Sequence, residues 1–260
     1  MLRFSANLGF LWPELDLIGR IEAAAAVGFR AVELHWPYEV AAGDVRAACK
    51  RHGLALLGVN TGVGDVSRGE FGLGAVAGRE ADFQALVDQS INYCRDSGAI
   101  SIHAMPGLIA PDQRTAARLT FLRNLEVASK KAAQHELTLL LEPINPHDKP
   151  GYFYSRISEA AEIIEELGAA NVKLMFDVYH VGMTEGNVLR QLERYMPMIG
   201  HIQIAAVPSR AEPDEGEIAY DRVLKAIDAL GYEGWIGCEY KPRACTLAGL
   251  GWVAAFKYRF

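Results

Sequence analysis

Several signatures are missing from these 260 residues. No GxGxxG turn follows the first apolar run, which speaks against a dinucleotide-binding sheet. Only four cysteines occur, Cys49, Cys94, Cys238 and Cys245, and none makes a CxxC pair or a zinc-type spacing. A chain of this length needs no staples, so the thiols are expected to be reduced and mostly buried. No stretch reaches the roughly 18 apolar residues of a membrane span. The opening MLRFSANLGFLW lacks the charged region, apolar run and cleavage site of a secretory signal, so the expected setting is cytoplasmic, without a membrane partner. Positive charge is also scarce, 26 Lys and Arg against 32 Asp and Glu for a net −6. That balance argues against a nucleic-acid partner, whose phosphates want a basic face. Low-complexity segments and composition breaks are absent, and residues 1–260 read as one domain.

What is present is alternation. Short apolar runs of strand type recur at Leu2 to Leu8, Ala31 to Leu34, Leu54 to Asn60, Ala99 to Met105, Leu137 to Glu142, Val172 to Asp177, Ile199 to Ala205 and Trp235 to Tyr240. Helical spacing separates them, with Gly28, Gly53 and Gly168 closing three of the helices. Ser155 is the expected N-cap of the helix that Gly168 closes. The helix over Pro111 to Gln134 is expected to bury Ala116, Leu119, Leu122, Leu125 and Ala128, and further helices are expected at Glu185 to Met196, Tyr220 to Leu230 and Leu247 to Lys257. Eight strands alternating with eight helices, in a chain close to the roughly 250 residues typical of that fold, predict an α/β protein with a single (β/α)8 TIM barrel. One segment breaks the rhythm: Thr61 to Gly78 holds six glycines and follows a strand, the position of active-site loops, so it is a candidate lid.

Four of the runs end in an oxygen-bearing side chain. LLLEPIN carries Glu142, FDVYH carries Asp177, HIQIA carries Gln203 and GCEYKP carries Glu239, at gaps of 35, 26 and 36 residues. Such gaps are about one strand plus one helix. Four consecutive parallel strands would thus bring one oxygen ligand each to the same end of a barrel. Three carboxylates in one place repel one another unless a cation lies between them. An all-oxygen donor set suits a hard divalent ion, Mg²⁺ or Mn²⁺, better than zinc. Strand parity puts Gly237 on the side of Glu239 and turns Cys238 toward the helices, sends Lys241 back over the mouth, and sets His201 a layer below Gln203.

Three carboxylates and a 2+ ion still sum to −1, so an anionic small molecule needs further cations. Lys241 and Arg210 stand on loops at that end, with Arg243 near. His180, three residues beyond Asp177, and His103, at the end of the fourth run, are candidates to hydrogen-bond a substrate oxygen. His35, His52 and His135 read as structural or surface residues.

At these residues the chain closely resembles the hydroxypyruvate isomerase family, within the xylose isomerase-like barrels that also include ketose 3-epimerases and endonuclease IV. The resemblance runs over nearly the whole length: MLRFSANL, GFRAVELHWPYE, GREADF, LLLEPIN, FDVYH, IGHIQIA, RAEPDEGEIAY and GWIGCEYKP. It implies a metal held by Glu142, Asp177, Gln203 and Glu239, with Glu142 and Glu239 as the acid–base pair. Ketose epimerases usually carry His where this chain has Gln203, which favours the hydroxypyruvate branch. The 2-oxo-tetronate isomerases share much of the pattern, including the KPR of Lys241 to Arg243, whereas LEPIN followed by PHDKPG is closer to hydroxypyruvate isomerase. The expected reaction is the interconversion of hydroxypyruvate and 2-hydroxy-3-oxopropanoate through an enediolate, with 2-oxo-tetronate isomerase and ketose 3-epimerase as alternatives. A phosphodiesterase of the endonuclease IV kind would want several metals, many histidine ligands and a basic groove. A homo-oligomer is compatible with the sequence.

Overall fold

The computed structural model describes residues 2–260. In chain order the elements are β1 (Arg3–Asn7), α1 (Leu17–Ala26), β2 (Ala31–Glu33), α2 (Ala42–His52), β3 (Ala55–Leu56), β4 (Gly58–Asn60), α3 (Glu80–Ser97), β5 (Ser101–His103), α4 (Arg114–Ala133) and β6 (Thr138–Leu141). There follow α5 (Ile157–Leu167), β7 (Val172–Asp177), α6 (Val178–Thr184), α7 (Val188–Tyr195), β8 (Ile199–Ile204), α8 (Tyr220–Ala229), β9 (Trp235–Cys238), α9 (Thr246–Gly249) and α10 (Trp252–Ala255).

All strands are parallel, in the order β3-β2-β1-β9-β8-β7-β6-β5-β4. The ends of that series, β3 and β4, are two halves of one run that breaks at Leu57. The Leu57 amide donates to Val32 O at 2.9 Å and its carbonyl accepts from Ile100 N at 3.2 Å, so one residue bridges both neighbours and the ring closes. The nine short strands are therefore the eight expected runs of a TIM barrel. Helix-facing residues such as Phe4, Ile102, Leu139, Leu174 and Ile236, all with no more than 1% of their surface exposed, fill the layer between strands and helices.

Three helical expectations are corrected, and one helix is added. In α4 the buried face is Ala117, Phe121, Leu125, Ala128 and Ala132, while Leu119 is 51% exposed. The leucines span both faces of this helix, so apolarity alone does not set its phase. Ser155 does not cap α5; the Glu159 side chain accepts from the backbone amides of Ser155 and Arg156, each at 3.0 Å. The helix expected over Glu185 to Met196 is α7, but ahead of it the Asp177 carboxylate accepts the Tyr179 amide at 2.8 Å and starts α6 directly at the strand end. The helix expected over Leu247 to Lys257 is two short turns, α9 and α10.

The Thr61 to Gly78 segment is docked rather than loose. Gly74 N and Ala75 N donate to Met105 O and Pro106 O, and Arg79 pairs with Glu70 and Asp82. Gly72, at φ 102°, lies so close to the 105–107 backbone that a Cβ would come within 2.8 Å of Met105 O. This docking carries Phe71 to the barrel mouth, where its ring meets Trp36 at 6.0 Å and Tyr152 at 6.1 Å.

Candidate functional site

The C-terminal ends of the strands converge on one buried polar cluster. Glu142 follows β6, Asp177 ends β7, Gln203 lies within β8 and Glu239 follows β9, each at most 5% exposed. Their closeness follows from register: Asp177 pairs with Gln203 across β7 and β8, and Gln203 with Gly237 across β8 and β9. Glu239 N donates to Ile204 O at 3.2 Å, which extends that last pairing to Glu239.

Each of three of these side chains has one polar atom engaged and one buried oxygen without a partner. Glu142 Oε2 lies 3.3 Å from His103 Nδ1, Asp177 Oδ1 caps α6, and Gln203 Nε2 donates to Glu33 Oε2 at 2.9 Å. The oxygens left over are Glu142 Oε1, Asp177 Oδ2 and Gln203 Oε1. A buried acceptor without a donor costs about 1–3 kcal/mol, so three together want an electrophile. Burial, then the Glu239 and Asp177 charges, holds the Glu142 carboxyl well above the usual range. Burial and Glu239 push Asp177 up to about 7. A divalent cation fits both the orphaned atoms and the excess of negative charge.

Among the described residues, Glu142, Asp177 and His180 form a group whose ligand atoms lie within 4.8 Å of one another. His180 is oriented as a donor. Asn145 Oδ1 accepts from His147 N at 3.0 Å and Asp148 N at 2.9 Å, which turns the amide so that Nδ2 faces His180 Nδ1 at 2.7 Å. The Asn145 backbone amide also reaches Nδ1, at 3.2 Å. Nδ1 therefore accepts and the ring proton sits on Nε2, which points to Asp177 Oδ2 at 3.6 Å and Glu142 Oε1 at 3.8 Å. Burial, then the Arg210 charge, holds this imidazole well below its ordinary pKa. His103 is likewise neutral: burial, then His35, lowers it to about 3.

Arg210 comes closer to the carboxylates than a residue of the loop rim. Its Nη2 donates to Glu239 Oε1 at 3.0 Å and its Nη1 to Asp148 Oδ2 at 2.8 Å, with the guanidinium between the rings of Phe10 and Tyr179. Lys241 lines the same mouth with an exposed side chain and is tied to Arg210 through its backbone amide, 2.8 Å from Arg210 O. Arg243 is spent elsewhere, on Glu212, Asp214 and Glu215. Above the cluster opens a cavity of about 400 Å³, walled by Phe10, Trp36, Phe71, His103, Lys149 and Lys241 among others.

Sequence reasoning missed several members. His35, read as structural, stands 3.6 Å from Glu239 Oε1. Asn7 Nδ2 donates to Glu239 Oε2 at 3.0 Å, Lys149 lies 4.0 Å above the Phe71 ring, and Glu33 supports Gln203 from below. The available signal was a polar residue at the end of an apolar run: SAN at Asn7 and AVE at Glu33 have the form of LLLE. Cys238 is fully buried in the core, on the helix side as parity predicts.

A closed parallel barrel with convergent carboxylates at its C-terminal mouth is the architecture of a barrel enzyme acting on a small polar molecule. The chain belongs to the xylose isomerase-like TIM barrel family, whose model matches residues 21–256. It is 48% identical over 98% of its length to a 2-oxo-tetronate isomerase of Cupriavidus necator, covering 99% of that protein. It is 37% identical to the hydroxypyruvate isomerase of Escherichia coli over 99% of this chain and 100% of that one. Among solved structures, one from Brucella melitensis described as an AP endonuclease, family 2, superposes with a TM-score of 0.96 at 37% identity, each chain fully covered.

Proposed function

We propose that this isomerase shifts a carbonyl between adjacent carbons of a short anionic hydroxy-keto acid, with 2-oxo-tetronate as substrate and Mg²⁺ or Mn²⁺ as cofactor. The observation that carries the reading is the set of buried, partnerless oxygens on Glu142, Asp177 and Gln203 beneath a cavity edged by cations. The 48% identity to a 2-oxo-tetronate isomerase, against 37% to the E. coli hydroxypyruvate isomerase, supports taking 2-oxo-tetronate first, the reverse of the order expected from the PHDKPG motif.

The two acids differ only by a hydroxymethyl group on C3, and the chemistry is common to both. A proton leaves C3 and one returns at C2, the C3 hydroxyl proton passes to the C2 oxygen, and the carbonyl moves from C2 to C3 with no external oxidant. A divalent ion at Glu142, Asp177, Gln203 and Glu239 would polarise the two substrate oxygens and stabilise the enediolate. Glu142 and Glu239 act as the acid–base pair, one taking the C3 proton and the other returning one at C2. His180 donates its Nε2 proton to a substrate oxygen. Arg210 fixes Glu239 and, with Lys241, receives the substrate carboxylate, while Phe10, Trp36 and Phe71 keep water away.

A DNA-repair reading, prompted by the Brucella description, has less in its favour. The net charge is −6, and among the described residues three histidines, His35, His103 and His180, lie within 4 Å of Glu142, Asp177 or Glu239, fewer than a multi-metal site would want. The deciding assay is turnover of chelator-stripped protein with and without Mg²⁺ or Mn²⁺, followed by NMR in D₂O, with 2-oxo-tetronate and hydroxypyruvate side by side. Metal-dependent deuterium incorporation at C2 with 2-oxo-tetronate preferred is the expected result; inactivity on both acids would overturn the proposal.

A further inference from the structure

Below the carboxylates, Glu33 at the end of β2 points into the barrel with its side chain 7% exposed. Three donors meet it: Ser5 Oγ at 2.9 Å on Oε1, and His201 Nε2 at 3.0 Å and Gln203 Nε2 at 2.9 Å on Oε2. Space is reserved for it. A Cβ on Gly237 would lie 2.2 Å from Glu33 Oε1 and 2.9 Å from Gln203 Cγ.

The consequence falls on Gln203. A primary amide beside carboxylates would ordinarily turn its NH₂ toward them, because that end is the donor. Here the NH₂ is held by Glu33, and Oε1 is left buried without a partner. An amide ligates a hard cation through oxygen, never through its NH₂. Glu33 does not line the cavity above the carboxylates.

We propose that Glu33 is the positioning residue of the site, an anion that selects the amide orientation in which Gln203 can serve as a cation ligand. Supporting partners of this kind are worth about 10–100-fold in metal affinity or activity. The inference rests on the divalent-cation reading above, and its test separates the two.

Mn²⁺ binding to the chelator-stripped full chain, measured by titration calorimetry, is compared for wild type, Glu33→Gln, Gln203→Ala and the double variant, with thermal melting as a check of folding. Glu33→Gln is expected to weaken Mn²⁺ binding at least tenfold in the wild-type background and to have almost no effect once Gln203 is Ala. Unchanged affinity in Glu33→Gln, or an equal loss in the Gln203→Ala background, would overturn the positioning role while leaving the cation site standing. Absence of Mn²⁺ binding by the wild type would overturn the cation site itself, and the role of Glu33 with it. Should Glu33→Gln fail to fold, Gln203→Glu gives the second test. A carboxylate facing Glu33 is expected to bind Mn²⁺ more weakly than the native amide, and tighter binding would refute the proposal.

Discussion

Asn145 and His180 lock each other: the amide nitrogen and the backbone N–H of Asn145 both meet His180 Nδ1, at 2.7 and 3.2 Å, and so fix the imidazole proton on the nitrogen that faces Asp177 and Glu142. Asn145 is the last residue of LLLEPIN, three beyond Glu142. One loop therefore supplies a carboxylate and sets the tautomer of a neighbouring ring.

Replacing Asn145 by Ala removes one of the two donors to Nδ1 and the anchor of the 145–148 turn. Loss of such an orienting partner is expected to lower kcat/KM about 10–100-fold. Nitrogen-15 spectra of the histidine rings should show the Nε2–H tautomer at His180 in the wild type and a mixture in the variant.

Glu239→Gln keeps the size of the side chain and leaves an oxygen that can still accept from Arg210 or Asn7. Folding is expected to survive, while loss of a proton carrier should cost about 10²–10⁴ in kcat. Near-normal turnover by a folded, Mn²⁺-binding Glu239→Gln protein would remove Glu239 from the acid–base pair.

Mn²⁺ affinity should rise with pH. Asp177 is pushed up to about 7 by burial and Glu239, and Glu142 is raised by burial, Glu239 and Asp177, so below neutrality these groups hold protons that a cation must displace. The affinity should therefore grow from pH 6 to pH 8, by up to about tenfold per unit for each proton displaced. Calorimetry in buffers of different ionisation enthalpy would count the protons released; a pH-independent affinity with no release would contradict the raised carboxyls.

Lys241→Met should raise KM for an anionic substrate about tenfold, roughly 1.4 kcal/mol, with kcat nearly kept, since the ammonium contributes to binding in ground and transition state alike. Steady-state kinetics on 2-oxo-tetronate test this; an unchanged KM would leave the carboxylate to Arg210 and Lys149.

Gly237→Ala would drive a Cβ to 2.2 Å from Glu33 Oε1 in the barrel interior. Overpacking of this kind costs about 1–3 kcal/mol, and a lowered thermal midpoint with weakened Mn²⁺ binding is the expected pair of effects.

The sequence by itself determined the barrel and the four oxygen-bearing side chains that meet at its mouth. Strand and helix periods are local properties, and in a parallel barrel every apolar run ends at the same face, so Glu142, Asp177, Gln203 and Glu239 could be brought together from spacing alone. Tertiary structure decided whatever depends on which strand lies beside which. Asn7 meets Glu239 because β1 closes against β9, with 232 residues between the two side chains, and Glu33 reaches Gln203 across the barrel interior, 170 residues away in the chain. Folding likewise put Arg210 among the carboxylates and spent Arg243 on Glu212. A side chain's partner across a closed barrel is set by ring closure and register, and neither leaves a periodic trace in the chain.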